Sequence, residues 1–112
     1  MVIDPGRLLG TADPQRDRRI LEIFVSELDK DLELLRVARD RDCFVRAAHG
    51  LKNSGAGVGA EELTAAAEAA EEINLPEWQS RRAALEQALV RAATQARDEA
   101  LDILARALRS ET

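Results

Sequence analysis

Residues 42–63 read DCFVRAAHGLKNSGAGVGAEEL, and the spacing of their apolar positions decides the fold class. Phe44, Ala47, Ala48, Leu51, Gly55 and Val58 recur every three or four residues, which lays one apolar face along an α-helix. Asp42 precedes them, a side chain able to accept the orphan N–H groups of a helix start. Gly57 and Gly59 tolerate the left-handed conformation of a helix C-terminal cap. The stretch therefore predicts a helix over about 43–57. Glu61 and Glu62 then stand where the N-terminus of a new helix favours negative charge.

Working outward, Asp13-Pro14 is a start signal, because proline at a first helical position gives up an N–H that would have no partner. Leu21, Phe24, Val25, Leu28, Leu32 and Leu35 follow as one stripe, predicting a helix over about 14–39. Arg39, Asp40, Arg41 and Asp42 form an all-charged link. Residues 1–12 read as a leader with one helical turn around Arg7–Leu9. Downstream, Leu63, Ala66, Ala67, Ala70 and Ile73 trace a third, narrower stripe that Asn74 and Pro76 stop. Trp78, Leu85, Ala88, Leu89, Ala92, Ala96 and Ile103 support a fourth helix over about 77–109, roughly 50 Å long. The chain has 20 alanines, 19 of them from Ala38 onward, a composition that favours helix over strand. The expected architecture is all-α: a single domain over 1–112, an antiparallel four-helix bundle over about 13–109 with a short N-terminal turn and a long C-terminal helix. Leu101, Leu104 and Leu108 leave the fourth stripe, so the helix end is expected to protrude, to fold back on the leader, or to pair with a second copy. A monomer is expected, with a dimer through the C-terminal helix as the other arrangement.

Composition removes several classes of function. Sixteen Lys plus Arg stand against 21 Asp plus Glu, a net charge of -5, which disfavours a general binder of nucleic acid or anionic membrane. No stretch approaches the roughly 18 apolar residues of a membrane span, and Asp4, Pro5 and Arg7 break any signal-peptide pattern. A cytoplasmic location is expected, with Cys43 a reduced small hydrophobe. One His and one Cys build neither a zinc site nor a disulfide, and no nucleophile elbow accompanies the His. No metal site is expected.

That single His, His49, lies about 200° from Leu51 and about 140° from Phe44 around the helix, on the face opposite the apolar stripe. Its neighbours one turn away are Val45, Arg46, Lys52 and Asn53, with Ala56 a turn further and Gly50 adjacent. Across residues 36–52, Arg36, Arg39, Arg41, Arg46 and Lys52 outnumber Asp40 and Asp42, a local charge of +3 in a chain of -5. An exposed neutral imidazole is a competent nucleophile, and a lysine one turn on can neutralise a phosphoryl group carried on Nε2.

The run from Ala47 to Leu63 resembles the signature of histidine-containing phosphotransfer (HPt) domains, H-x-L-K-G-S followed by small residues and G-A-x-x-L, with His49, Leu51, Lys52, Ser54, Gly59, Ala60 and Leu63 in matching positions. The likeness extends more weakly over about residues 13–75. It departs at Asn53, where the family usually has glycine. The resemblance implies a two-component phosphorelay intermediate, a phosphocarrier rather than a kinase, with no ATP site and no cofactor of its own. His49 would accept a phosphoryl group from the phospho-aspartate of a response-regulator receiver domain and pass it to another receiver, with Mg²⁺ held by the receiver. A hybrid histidine kinase is a further implied partner, and the chain is either a free-standing protein or a domain of such a kinase. Lys52 would stabilise phosphoryl charge and Glu71 would orient the imidazole through Nδ1. Val45, Arg46, Gly50, Asn53 and Ala56 would meet the partner.

Other features read more plainly. Trp78 is expected to plug one end of the bundle. The pairs Arg18-Arg19 and Arg81-Arg82 interleave with Asp17, Glu22, Glu77 and Glu86, so they are expected to be solvated or ion-paired. The competing reading is a helical regulatory or dimerisation module that binds a receiver or kinase without accepting phosphate. A histidine-kinase dimerisation domain fits less well, because Gly50 stands where an acidic residue usually follows the His.

Overall fold

The computed structural model describes residues 14–110, which form four helices: α1 Pro14–Val37, α2 Arg41–Val58, α3 Glu61–Glu71 and α4 Trp78–Ser110. The expected turn around Arg7–Leu9 and the cap at Asp13 lie outside the described residues. Each helix packs against its neighbour in sequence, and α4 closes the bundle against α1. No strand occurs among the described residues.

The core is the sum of the apolar stripes. Leu21, Phe24, Leu28 and Leu35 of α1, Phe44, Ala47, Ala48, Leu51 and Val58 of α2, and Leu63, Ala67 and Ala70 of α3 are buried, and Val25 and Leu32 are partly so. Helix α1 ends two residues earlier than its charge pattern suggests, closing with the N–H of the buried Ala38 on the carbonyl of Leu35. In α3 the helix stops at Glu71, while Ile73 stays buried beyond it in the following turn.

The long α4 corrects two sequence expectations. Its seam runs through Leu89, Ala93, Ala96 and Ala100 and continues to Ile103 and Leu104, which are packed partly against the core. The spacing alternates four and three, a knobs-into-holes rhythm that small alanines carry as well as leucines do. Ala88, expected on the stripe, is exposed, and Leu104 belongs to the seam; Leu101 faces outward at 39 % exposure. The side chain of Leu108 lies outside the described residues. An Arg97–Asp29 salt bridge, 2.7 Å from Nε to Oδ1, ties α4 to α1. At the opposite end Trp78 meets Phe44 edge-on at 5.1 Å between ring centroids, with the Arg82 guanidinium over both rings. Arg18, Arg81 and Arg82 pair with Glu22, Glu77 and Glu86. No helix among the described residues is long and apolar enough to cross a membrane.

Candidate functional site

Helix α2 is capped at both ends, and the caps set the site. Its start is two residues earlier than the sequence suggests: Asp40, not Asp42, is the N-cap, and its carboxylate accepts the Cys43 N–H at 2.8 Å. That bond pulls the Asp40 carboxyl below its ordinary value, and the exposed Cys43 thiol, hydrogen-bonded by its own side chain to the Asp40 carboxylate and facing its negative charge, is pushed above its own. At the other end Gly59 takes the left-handed conformation, φ 71°, and the N–H groups of Gly59 and Ala60 close on the carbonyls of Ala56 and Gly55. This double closure turns the chain within two residues, a conformation that favours glycine at the turning position.

Helix α3 then runs back along α2, and Gly55 allows the approach. A Cβ on Gly55 would stand 2.9 Å from Thr64 Oγ1 and 3.1 Å from Leu63 Cγ. With the two helices in this register, the end of α3 arrives beside His49. His49 Nδ1 lies 2.6 Å from Glu71 Oε1, and Lys52 Nζ donates to Glu71 Oε2 at 3.0 Å. The imidazole is 57 % exposed and the Glu71 side chain 18 %.

Desolvation alone would raise the Glu71 carboxyl, but the hydrogen bonds and charge of Lys52 and His49 outweigh it, and its pKa sits below the ordinary carboxylate value. Glu71 is therefore ionised at neutral pH and can only accept. In the neutral ring of His49, Nδ1 is then the protonated nitrogen and Nε2 carries the lone pair. Nε2 makes no hydrogen bond among the described residues. The arrangement offers an exposed, oriented nitrogen nucleophile with a carboxylate behind it and an ammonium group beside it.

His49 opens onto a surface depression of about 650 Å³ lined by Asp42, Val45, Arg46, Lys52 and Glu71. Arg46 forms no salt bridge among the described residues, whereas Lys52 pairs with Glu71 and Arg36 with Glu33. Of the residues singled out from sequence, His49, Lys52, Glu71, Val45 and Arg46 meet in this depression. Asn53 and Ala56 are exposed further along the same helix, outside its lining. Gly50 turns toward α1 instead: a Cβ there would stand 2.7 Å from Asp31 Oδ2. Burial, together with Glu27, raises the Asp31 carboxyl. Asp42, expected as a cap within the charged link and not among the site residues, also lines the depression. Its signal was available, since it precedes His49 by seven residues, two turns along the same face. No cluster of metal-ligating side chains occurs among the described residues.

The family model described as Hpt domain matches residues 19–110. No curated protein and no solved structure gives a significant match.

Proposed function

The chain belongs to the Hpt domain family, whose members serve phosphotransfer in two-component phosphorelays, and from that premise we propose that His49 holds a phosphoryl group in transit between receiver domains. The observation that carries this reading is the His49–Glu71 hydrogen bond, which leaves the exposed Nε2 with its lone pair.

In the forward step, Nε2 attacks the phosphorus of a receiver's phospho-aspartate in line, the N–P bond forms, and the P–O bond to the aspartate breaks with the carboxylate leaving. The Nδ1 proton stays where it is, shared with Glu71. Positive charge that develops on the ring is opposed by the Glu71 carboxylate. Lys52 spends one of its three N–H donors on Glu71 and has two for phosphoryl oxygens. The return step is the reverse, with a second receiver's aspartate as nucleophile. The receiver's own acidic pocket supplies Mg²⁺, and Arg46 at the rim complements that acidic surface. Val45, Asn53, Ala56 and Asp42 extend the docking face along α2, and Gly50 keeps the helix close to α1.

Incubation with a phosphorylated receiver tests the proposal. A label that is acid-labile, alkali-stable and lost in His49→Gln is the expected result. Partner binding with no label on the wild-type chain would instead make it a docking module, and label retained in His49→Gln would refute the assignment.

A further inference from the structure

Arg41 stands outside the depression, yet it bonds to the segment that carries Glu71. Its Nε donates to the main-chain carbonyl of Ile73 at 2.6 Å, across 32 residues of sequence and in a part-buried setting. Its Nη1 lies 3.4 Å from Asp42 Oδ1. Ile73 is 1 % exposed and follows Glu71 by two residues. Arg41 is the first residue of α2 and Glu71 the last of α3. Helix α2 thus grips the end of α3 at two levels, about 12 Å apart along its axis: through the Glu71 carboxylate at His49 and Lys52, and through the backbone at Arg41.

We propose that Arg41 is a positioning residue for the His49 site, a clamp on the Ile73 carbonyl that fixes where Glu71 stands relative to Nδ1. Helix α3 has 11 residues, and its N-cap, Ala60, makes no side-chain hydrogen bond. A helix so short is marginal by itself and depends on tertiary contacts for its ends. The grip at Glu71 is made only by side chains, one of them 57 % exposed. A drift of about 1 Å at the end of α3 would stretch the His49–Glu71 bond past useful hydrogen-bond length and release the ring to exchange tautomers. The Arg41 bond is charge-assisted and made to backbone, so it restrains the helix end itself. The inference rests on the phosphotransfer reading for its consequence, but the positional claim is measured without any phosphoryl group.

The test is the ring ¹⁵N spectrum of His49, the only His in the chain, recorded across pH on the full protein as wild type, Arg41→Met, Arg41→Gln and Arg41→Lys. Wild type is expected to hold the Nδ1–H form. Met and Gln should shift the ring toward exchange with the Nε2–H form and lower phosphoryl uptake roughly tenfold. Lys, which keeps a charged donor, should restore most of both. A wild-type ring pattern in whichever of Met and Gln folds overturns the proposal. So does equal perturbation in all three variants that tracks a lowered urea midpoint, since that is general destabilisation. A shifted ring pattern in a chain that never takes up phosphate upholds the clamp and refutes the phosphotransfer reading.

Discussion

Replacing Glu71 by glutamine keeps the side chain's size and removes the feature on which the site depends, a group that accepts at both ends. The carboxylate accepts from His49 Nδ1 at 2.6 Å and from Lys52 Nζ at 3.0 Å. A glutamine has one acceptor oxygen and a donor –NH₂, and the Lys52 ammonium has no use for a donor. The amide oxygen should turn to Lys52 and the –NH₂ to Nδ1, which must then be the unprotonated nitrogen. The ring proton moves to Nε2, where it blocks the nucleophile. Hydrogen bonds to charged groups contribute about 1.5–3 kcal/mol against about 0.5–1.5 for neutral ones. With the imidazole 57 % exposed, the lower end applies, and a loss of about 1.5 kcal/mol of tautomer preference corresponds to roughly a tenfold fall in uptake rate. The assay is the initial rate of phosphoryl uptake from a phosphorylated receiver, with the His49 ring spectrum recorded on the same samples. An unchanged rate together with a retained Nδ1–H ring in Glu71→Gln would refute the orienting role.

Three further outcomes follow from the geometry. Lys52→Ala should slow transfer by about tenfold, the equivalent of one charge-assisted bond at an exposed site, while circular dichroism shows an intact fold; unchanged kinetics would reject the role given to this lysine. Gly55→Ala should destabilise by up to about 2 kcal/mol, because overpacking at about 1–3 kcal/mol exceeds the roughly 1 kcal/mol gain in helix propensity, whereas Gly57→Ala, whose Cβ would meet nothing within 4 Å, should stabilise by about 1 kcal/mol in urea unfolding. Because the Glu71 carboxyl sits below its ordinary value of 4.5 in the fold, its pairing contributes fully above pH 4.5 and is lost as pH falls through the lower folded value. The stability gap between wild type and Glu71→Gln should therefore shrink below pH 4.5, and a gap that widens in acid would contradict this.

The parts of this molecule that were legible in sequence are those written in local periodicity. The α1 stripe from Leu21 to Leu35 and the placement of His49 opposite Leu51 needed only the 3.6-residue repeat, and both stand in the structure. Cap choice was harder, because Asp40 and Asp42 lie in the same charged run and either can cap; the choice of Asp40 also makes Arg41 the first residue of α2, within reach of Ile73. Glu71 could not be picked by local pattern from its neighbours Glu68 and Glu72. What selects it is the α2–α3 register, fixed by the turn at Gly59 and the close contact at Gly55, a tertiary property that the family resemblance anticipated. Gly50 is expected on the partner-facing surface, and its close approach to Asp31 is invisible in sequence because it joins residues on different helices. The end of α4 was misread for a related reason: alanines at 93 and 100 carry its seam, and they are too small to stand out among 20 of their kind.

The central claim is that phosphate rides on one particular nitrogen of the only His. Phosphorus–nitrogen coupling in the NMR spectrum of ¹⁵N-labelled, receiver-phosphorylated protein reads that nitrogen directly. Phosphorus on Nε2 of His49, with Nδ1 still protonated against Glu71, is the predicted result. Phosphorus on Nδ1, or on any other side chain, would contradict it.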